Sequence, residues 1–263
     1  MPLRPRDAPP TATLARRIED AGLNASAPPQ QAFVDGWLLR LSPGKAKRSR
    51  CINALQRGHL PLDIMLSRCR AAFSSAGLPL IVRITPFTQP PDLDAELAAR
   101  GWRRFDETLV LAKLDLQAQT LQLPARSRLQ PVGPAQYAEV VGQLRGSPPD
   151  QIAAHFERLA ASRVPYQGHL LLSPGDELLA CGQLALEDGL AGLYDIFTPE
   201  AQRGRGHALA LCQALLQRAL EQGSRHAYLQ VDEANAPALK LYQGLGFVPA
   251  YRYHYRSEEA DAH

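Results

Sequence analysis

Apolar residues recur along this chain at two spacings, and the switch between them marks out its elements. Leu62, Met65, Leu66, Cys69 and Phe73 follow one another at intervals of three and four, the period of a helix lying on a core. Residues 78–85 carry Ile81, Val82 and Ile84 between Pro79 and Pro86, a β-branched run that predicts a strand. The same reading gives a helix at 14–21, capped by Thr13 and ended by Gly22, and a strand containing a turn at 33–40. It also gives a helix at 93–100 stopped by Gly101 and a strand at 108–114. Strands alternating with helices predict an α/β arrangement for this half.

Residues 117–128, rich in Gln and small side chains and carrying Pro124, read as a linker. Beyond it the pattern predicts a strand at 128–132 and helices at 134–144 and 149–162. Strands at 168–173, 178–186 and 190–197 follow, joined by Pro174-Gly-Asp176 and Glu187-Asp-Gly189. Both connectors are turn chemistry, so these three strands form an antiparallel meander. A helix beginning near His207 places Leu211, Cys212, Leu215, Leu216 and Ala219 on one face and ends at Gly223. A strand at 226–232, a helix capped by Asn235 and closed by Gly246, a final strand at 247–256 and a polar tail complete the chain.

Composition narrows the class. A chain of 263 residues that is 45% hydrophobic has ample material for a core, and a formal charge of +3 is too small to make nucleic acid the default partner. Cys51, Cys69, Cys181 and Cys212 show no metal-ligand spacing and read as buried free thiols in a reducing compartment. The seven histidines show no such spacing either, so no metal is expected. With no signal-like or membrane-length apolar run, the expected location is the cytoplasm, with no membrane partner. The basic cluster Lys45, Lys47, Arg48 and Arg50 reads as a solvated loop in preference to an anion or substrate contact.

The chemistry concentrates after the 190–197 strand. Pro199 stops it, Gly204 and Gly206 allow a close turn, and the helix that follows directs its first N–H groups at that turn. Such a turn can cradle a phosphate, although many βα connections of this kind hold no ligand. Asp195 is conspicuous in an otherwise apolar strand; a carboxylate there is either paired or faces a cleft.

Arg203-Gly-Arg-Gly-His-Ala208, a long helix, a strand and then Asn235-Ala-Pro-Ala-Leu-Lys-Leu-Tyr-Gln-Gly-Leu-Gly-Phe247 resemble the GCN5-related N-acetyltransferase (GNAT) superfamily. The resemblance implies a mixed, mostly antiparallel sheet flanked by helices over residues 126–256, with acetyl-CoA as co-substrate. It implies that Ile196, Phe197, Thr198, Arg203, Gly204, Arg205, Gly206, His207, Ala208 and Asn235 bind that co-substrate. Tyr242 maps to the tyrosine that serves as general acid in many members. From pattern alone it would be a core aromatic. Asp195 is the further catalytic candidate, as a base or acceptor contact, with a structural ion pair as its equal alternative.

Residues 31–120 resemble the leading domain of a bacterial two-domain subgroup, and residues 93–102 echo residues 239–247, which makes this α/β segment a degenerate GNAT copy. Residues 1–30 form a helix and connector, and 257–263 the tail. Family members commonly have two strands after the last helix, whereas only one is evident here. Either the last strand is shared or the first domain supplies the missing edge. The implied activity is acetyl transfer to a primary amine, on a small molecule or protein, by direct attack. The alternative is an acyl-CoA-binding sensor or assembly module without turnover.

Overall fold

A computed structural model of the protein describes residues 9–118 and 123–258. Its first half contains α1 (Ala12–Ala25), β1 (Gln31–Val34), β2 (Trp37–Arg40), β3 (Ile52–Ala54), α2 (Leu62–Ser75), β4 (Ile81–Ile84), α3 (Leu93–Ala99) and β5 (Arg103–Lys113). The second half adds β6 (Arg128–Val132), α4 (Pro134–Arg145), α5 (Pro149–Ala161), β7 (Tyr166–Leu172), β8 (Leu178–Glu187), β9 (Leu190–Phe197), α6 (His207–Glu221), β10 (His226–Asp232), α7 (Ala236–Gly244) and β11 (Val248–Ser257).

The eleven strands of the described residues join one sheet in the order β1-β2-β3-β4-β11-β5-β10-β9-β8-β7-β6. It is mostly antiparallel; β3 with β4 and β9 with β10 are the parallel pairs. The missing edge is supplied by the first half, because β5 lies between β10 and β11 and pairs with both. Apart from β6, which has no counterpart in the first half, the order is symmetric about the β11–β5 contact: each half runs from a parallel pair bridged by a helix to a second helix and a central strand. In that correspondence α2 matches α6 and α3 matches α7.

Alternation along the central strands separates two cores. Leu109 and Leu111 of β5 face the cluster built on α6 and α7, while Val110 and Ala112 face α1 together with Tyr251, Tyr253 and Tyr255 of β11. A third cluster packs Met65, Phe73, Leu93 and Leu97 of α2 and α3 against β2, β3 and β4, and a fourth packs α4 and α5 against β7 and β8. At the boundary between the halves, Glu19 of α1 receives Arg83 of β4 and the Tyr251 hydroxyl at 2.6 Å, so a buried ion pair ties α1 to the centre of the sheet.

The sequence-based expectations need five corrections. The cap of α1 is Thr11, whose hydroxyl accepts from Leu14 N at 3.2 Å, in place of Thr13. Gly22 lies inside α1; its missing side chain lets the helix approach Gln230, whose Nε2 is 3.1 Å from where a Cβ would stand. Residues 52–54 form a strand too short to show a period, and β5 starts five positions before 108, on a polar stretch no alternation marks. The basic cluster is not merely a solvated loop: Ser49 is buried, Lys47 pairs with Asp106, and Arg48 reaches across to Gln230 at 3.2 Å. Part of the predicted linker, 119–122, and the tail beyond 258 lie outside the described residues. The four cysteines are free and buried, as expected.

Candidate active site

Parallel pairing between β9 and β10 runs from Leu190–His226 to Leu193–Leu229 and stops there, so the C-terminal ends of the two strands part. At the same point β9 bulges: Tyr194 is opposite Gln183 and Phe197 opposite Cys181, which sets two residues, Asp195 and Ile196, against Gly182 alone. Asp195 takes up the extra residue with φ of 49°, in the left-handed region that Asp tolerates better than most residues. The bulge restores the register so that Ile196 packs towards α6, where its Cδ1 fills the space a Gly182 side chain would need. Asp195 is thereby turned to the α4–α5 face.

On that face its partners are waiting. Arg145, the last residue of α4, donates to Asp195 Oδ1 at 2.8 Å, and His155 Nε2 of α5 stands 3.4 Å from Oδ2, within ion-pair range without hydrogen-bond alignment. The Tyr137 hydroxyl donates to the Asp195 carbonyl at 3.0 Å, and the ring of Tyr137 lies so close to Gly168 that a Cβ there would meet Cδ2 at 2.7 Å. Burial opposes the charge of Asp195, but His155 and Arg145 outweigh it and hold the carboxyl well below the usual range. A carboxylate so paired is a weak proton acceptor.

Beyond the bulge, Phe197 packs on the α4–α5 cluster, Thr198 O accepts from Arg203 Nε at 3.4 Å, and the chain turns through Gly204 (φ 74°) and Gly206 (φ 81°) into α6. Gly206 is the N-cap of α6 and brings no side chain to cap it; the first helical bond runs from Ala210 N to Gly206 O. The amides of His207 and Ala208 thus begin the helix at its positive end. No atom lies within 4 Å of where a Cβ would stand on either glycine, and Nδ1 of His207 is buried with no partner among the described residues. Arg205 donates to Gln202 Oε1 at 3.3 Å, beside the turn.

The matching turn in the first half is closed. There the Asp35 carboxylate accepts from the amides of His59 and Leu60 at 2.7 and 2.8 Å, ahead of α2, and a Cβ on Gly58 would collide with it at 2.4 Å. An internal anion therefore occupies the first turn, whereas the Gly204–Ala208 turn is left open. That contrast and the orphaned His207 nitrogen fit a bound phosphate group at α6 alone.

Tyr242 lies on α7 in the core cluster shared with Leu211, Cys212 and Leu215 of α6, edge-on to Phe247 with ring centroids 5.9 Å apart. Burial, with Cys212 adding to it, raises its hydroxyl pKa, so it keeps its proton. Asn235 caps α7, its Oδ1 accepting from Ala238 N at 3.1 Å. The structure thus places the Gly204–Ala208 turn, Ile196 and Tyr242 around α6 and Asp195 on the opposite face. The residues that sequence reading missed are Tyr137, Arg145 and His155, which carry no motif and converge only when α4 and α5 pack. Among the described residues no group of three or more metal-ligating side chains comes together, and no helix is long and apolar enough to cross a membrane.

Residues 11–256 match the family described as probable histone acetyltransferase Rv0428c C-terminal. The chain belongs to this family. With the relatives below, this makes it an acyltransferase of GNAT type. It is 26% identical over 232 residues to an uncharacterised N-acetyltransferase, YobR of Bacillus subtilis, covering 86% of this chain and 91% of that protein. Its fold is that of a GCN5-related N-acetyltransferase from Kribbella flavida, with a TM-score of 0.68, 18% identity, and coverage of 93% of this chain and 95% of the other. A tandem GNAT protein from the clavulanic acid biosynthesis pathway is similar at a TM-score of 0.59 and 20% identity, over 76% of this chain and 69% of that one.

Proposed function

We propose that this acyltransferase moves an acetyl group from acetyl-CoA to a primary amine. The observation that carries the reading is the uncapped, glycine-lined N-terminus of α6 beside the gap between β9 and β10, set against a closed counterpart in the first half. Gly204 to Ala208 hold the pyrophosphate through their amides, with Arg203 and Arg205 at the rim and His207 Nδ1 inside. The side of β9 that β10 leaves unpaired, at Ile196 and Phe197 with Thr198 just beyond, offers backbone groups to an extended amide-bearing arm, as a sheet edge does to a peptide. Asn235 caps α7, the helix that carries Tyr242.

Bound acetyl-CoA supplies a thioester carbonyl open to direct attack by the amine. As the C–N bond forms and the C–S bond breaks, Tyr242 gives the proton at its hydroxyl to the departing thiolate, and the proton shed by the amine nitrogen passes to water, which restores the tyrosine. Asp195, too tightly paired to be a free base, fixes Arg145 and His155 at the acceptor side. Residues 126–256 are the catalytic unit, and 31–120 are a degenerate copy that lends β5 and whose own turn Asp35 has filled. The test is a thermal melt of the purified chain with acetyl-CoA, followed by thiol release in the presence of amines. A rise in Tm and amine-dependent release are expected. No shift at saturating acetyl-CoA overturns the reading.

A further inference from the structure

We infer that the amine accepted by this enzyme carries an anionic group, a carboxylate or phosphate, which docks on Arg48 and Arg158 in the cleft that Asp195 also lines; the inference rests on the N-acetyltransferase reading above. The cleft lies between the basic segment of the first half and α4–α5, and its charged lining is Lys45, Arg48, Arg145, His155, Arg158 and Asp195. Four of these are Lys or Arg and one is a carboxylate, which Arg145 already engages at 2.8 Å. Among the described residues Lys45, Arg48 and Arg158 have no carboxylate within ion-pair distance.

The two arginines are held, not loose. Arg48 lies over the Tyr194 ring at 5.2 Å and donates to Gln230, and Arg158 lies over the Tyr166 ring at 5.5 Å and donates to Ala25 O at 3.3 Å. The two rings are neighbours, with centroids 5.6 Å apart. Two guanidinium groups are thus fixed over adjacent aromatic faces in a partly buried cleft with spare donors, an arrangement that repels a second cation and suits a carboxylate or phosphate. Asp195 lines the same cleft, at the β9 bulge, so an anion seated on the arginines leaves the amine of a short molecule beside the gap between β9 and β10. A polyamine or a lysine-rich tail would add positive charge to a site already in excess of it.

The test uses the full chain with acetyl-CoA and matched acceptors: glycine and glutamate against glycinamide, phosphoethanolamine against ethanolamine, and spermidine and a lysine-rich histone-tail peptide. Products are identified by mass. At least about tenfold higher kcat/KM is expected for the anionic member of at least one matched pair, and the carboxylate and phosphate arms tell which anion is used. Arg158→Gln and Arg48→Gln should each raise the acceptor KM by about tenfold or more, with Arg158→Lys recovering part of the loss and the acetyl-CoA affinity unchanged. Equal or better use of neutral or cationic amines against every anionic one, no turnover of any anionic amine, or folded arginine variants with undiminished discrimination would each overturn the inference. Failure to bind acetyl-CoA would instead remove the N-acetyltransferase reading beneath it.

Discussion

Arg145 Nη2 meets Asp195 Oδ1 at 2.8 Å, joining the last turn of α4 to the bulge of β9. The contact decides what kind of acid Asp195 is. A carboxyl whose pKa falls on folding stabilises the protein fully above its unfolded pKa, about 3.8, and loses that contribution as pH drops from there through the folded value. Asp195→Asn should therefore lower stability by roughly 1–3 kcal/mol near neutral pH, less than a fully buried pair because Arg145 keeps part of its side chain in water. Denaturant melts of both proteins should show the gap closing as pH falls below that range. A constant gap would show that the carboxylate is not held by charge.

Tyr242, the proposed proton donor, occupies a core position. Tyr242→Phe keeps the ring that packs on Phe247, so the fold and acetyl-CoA binding should survive. Turnover should fall by about 10²-fold, the usual contribution of a positioned acid. Calorimetric affinity for acetyl-CoA and steady-state kcat measured together check this, and an unchanged kcat removes Tyr242 from the mechanism.

Gly206 and Gly223 bracket α6 with φ of 81° and 86°, and among the described residues neither has a non-neighbouring atom within 4 Å of a prospective Cβ. Replacing either by Ala should cost about 1–2 kcal/mol, the strain of a side chain in the left-handed region. Only Gly206→Ala should also reduce the Tm rise produced by acetyl-CoA, because its methyl group projects into the open turn. Equal rises in the two variants would place the phosphate elsewhere.

Glu19 and Arg83 are both about as buried as core leucines, with side-chain exposures of 4% and 3%, and Arg83 lies 3.9 Å over the Tyr253 ring. Burial works against the Glu19 charge, but Arg83 overcomes it and lowers the carboxyl pKa. Removing one partner strands the other, so Glu19→Gln or Arg83→Met should cost about 3–5 kcal/mol in urea unfolding. The double variant Glu19→Met/Arg83→Met should recover much of that loss. Strictly additive losses would show that the two residues act separately.

Local pattern was enough for much of this protein. The meander of β7 to β9, the helix α6 with its apolar face, and the Asn235 cap are written in periodicity and turn chemistry that neighbouring residues enforce. The glycine turn and the Asn235–Phe247 helix likewise announced the superfamily, since the close backbone approach they need is a property of a few adjacent positions. Asp195 was recognisable as an anomaly, a charge in an apolar strand, but its partners were not. Arg145 and His155 come from two helices whose sequences alternate charge and apolar residues in the ordinary way.

What tertiary structure alone decided was long-range pairing and the direction of side chains. The exchange that puts β5 between β10 and β11 joins residues more than a hundred positions apart, for which no local periodicity exists. A single added residue in β9 turned Asp195 towards α4 and α5, and the register that produced it is set by β8. The basic segment at Lys45 to Arg50 looked like a solvated loop because charge runs usually are. It became a wall of the cleft that Asp195 also lines when Tyr194 and Gln230, distant in sequence, offered Arg48 a ring face and a hydrogen-bond acceptor.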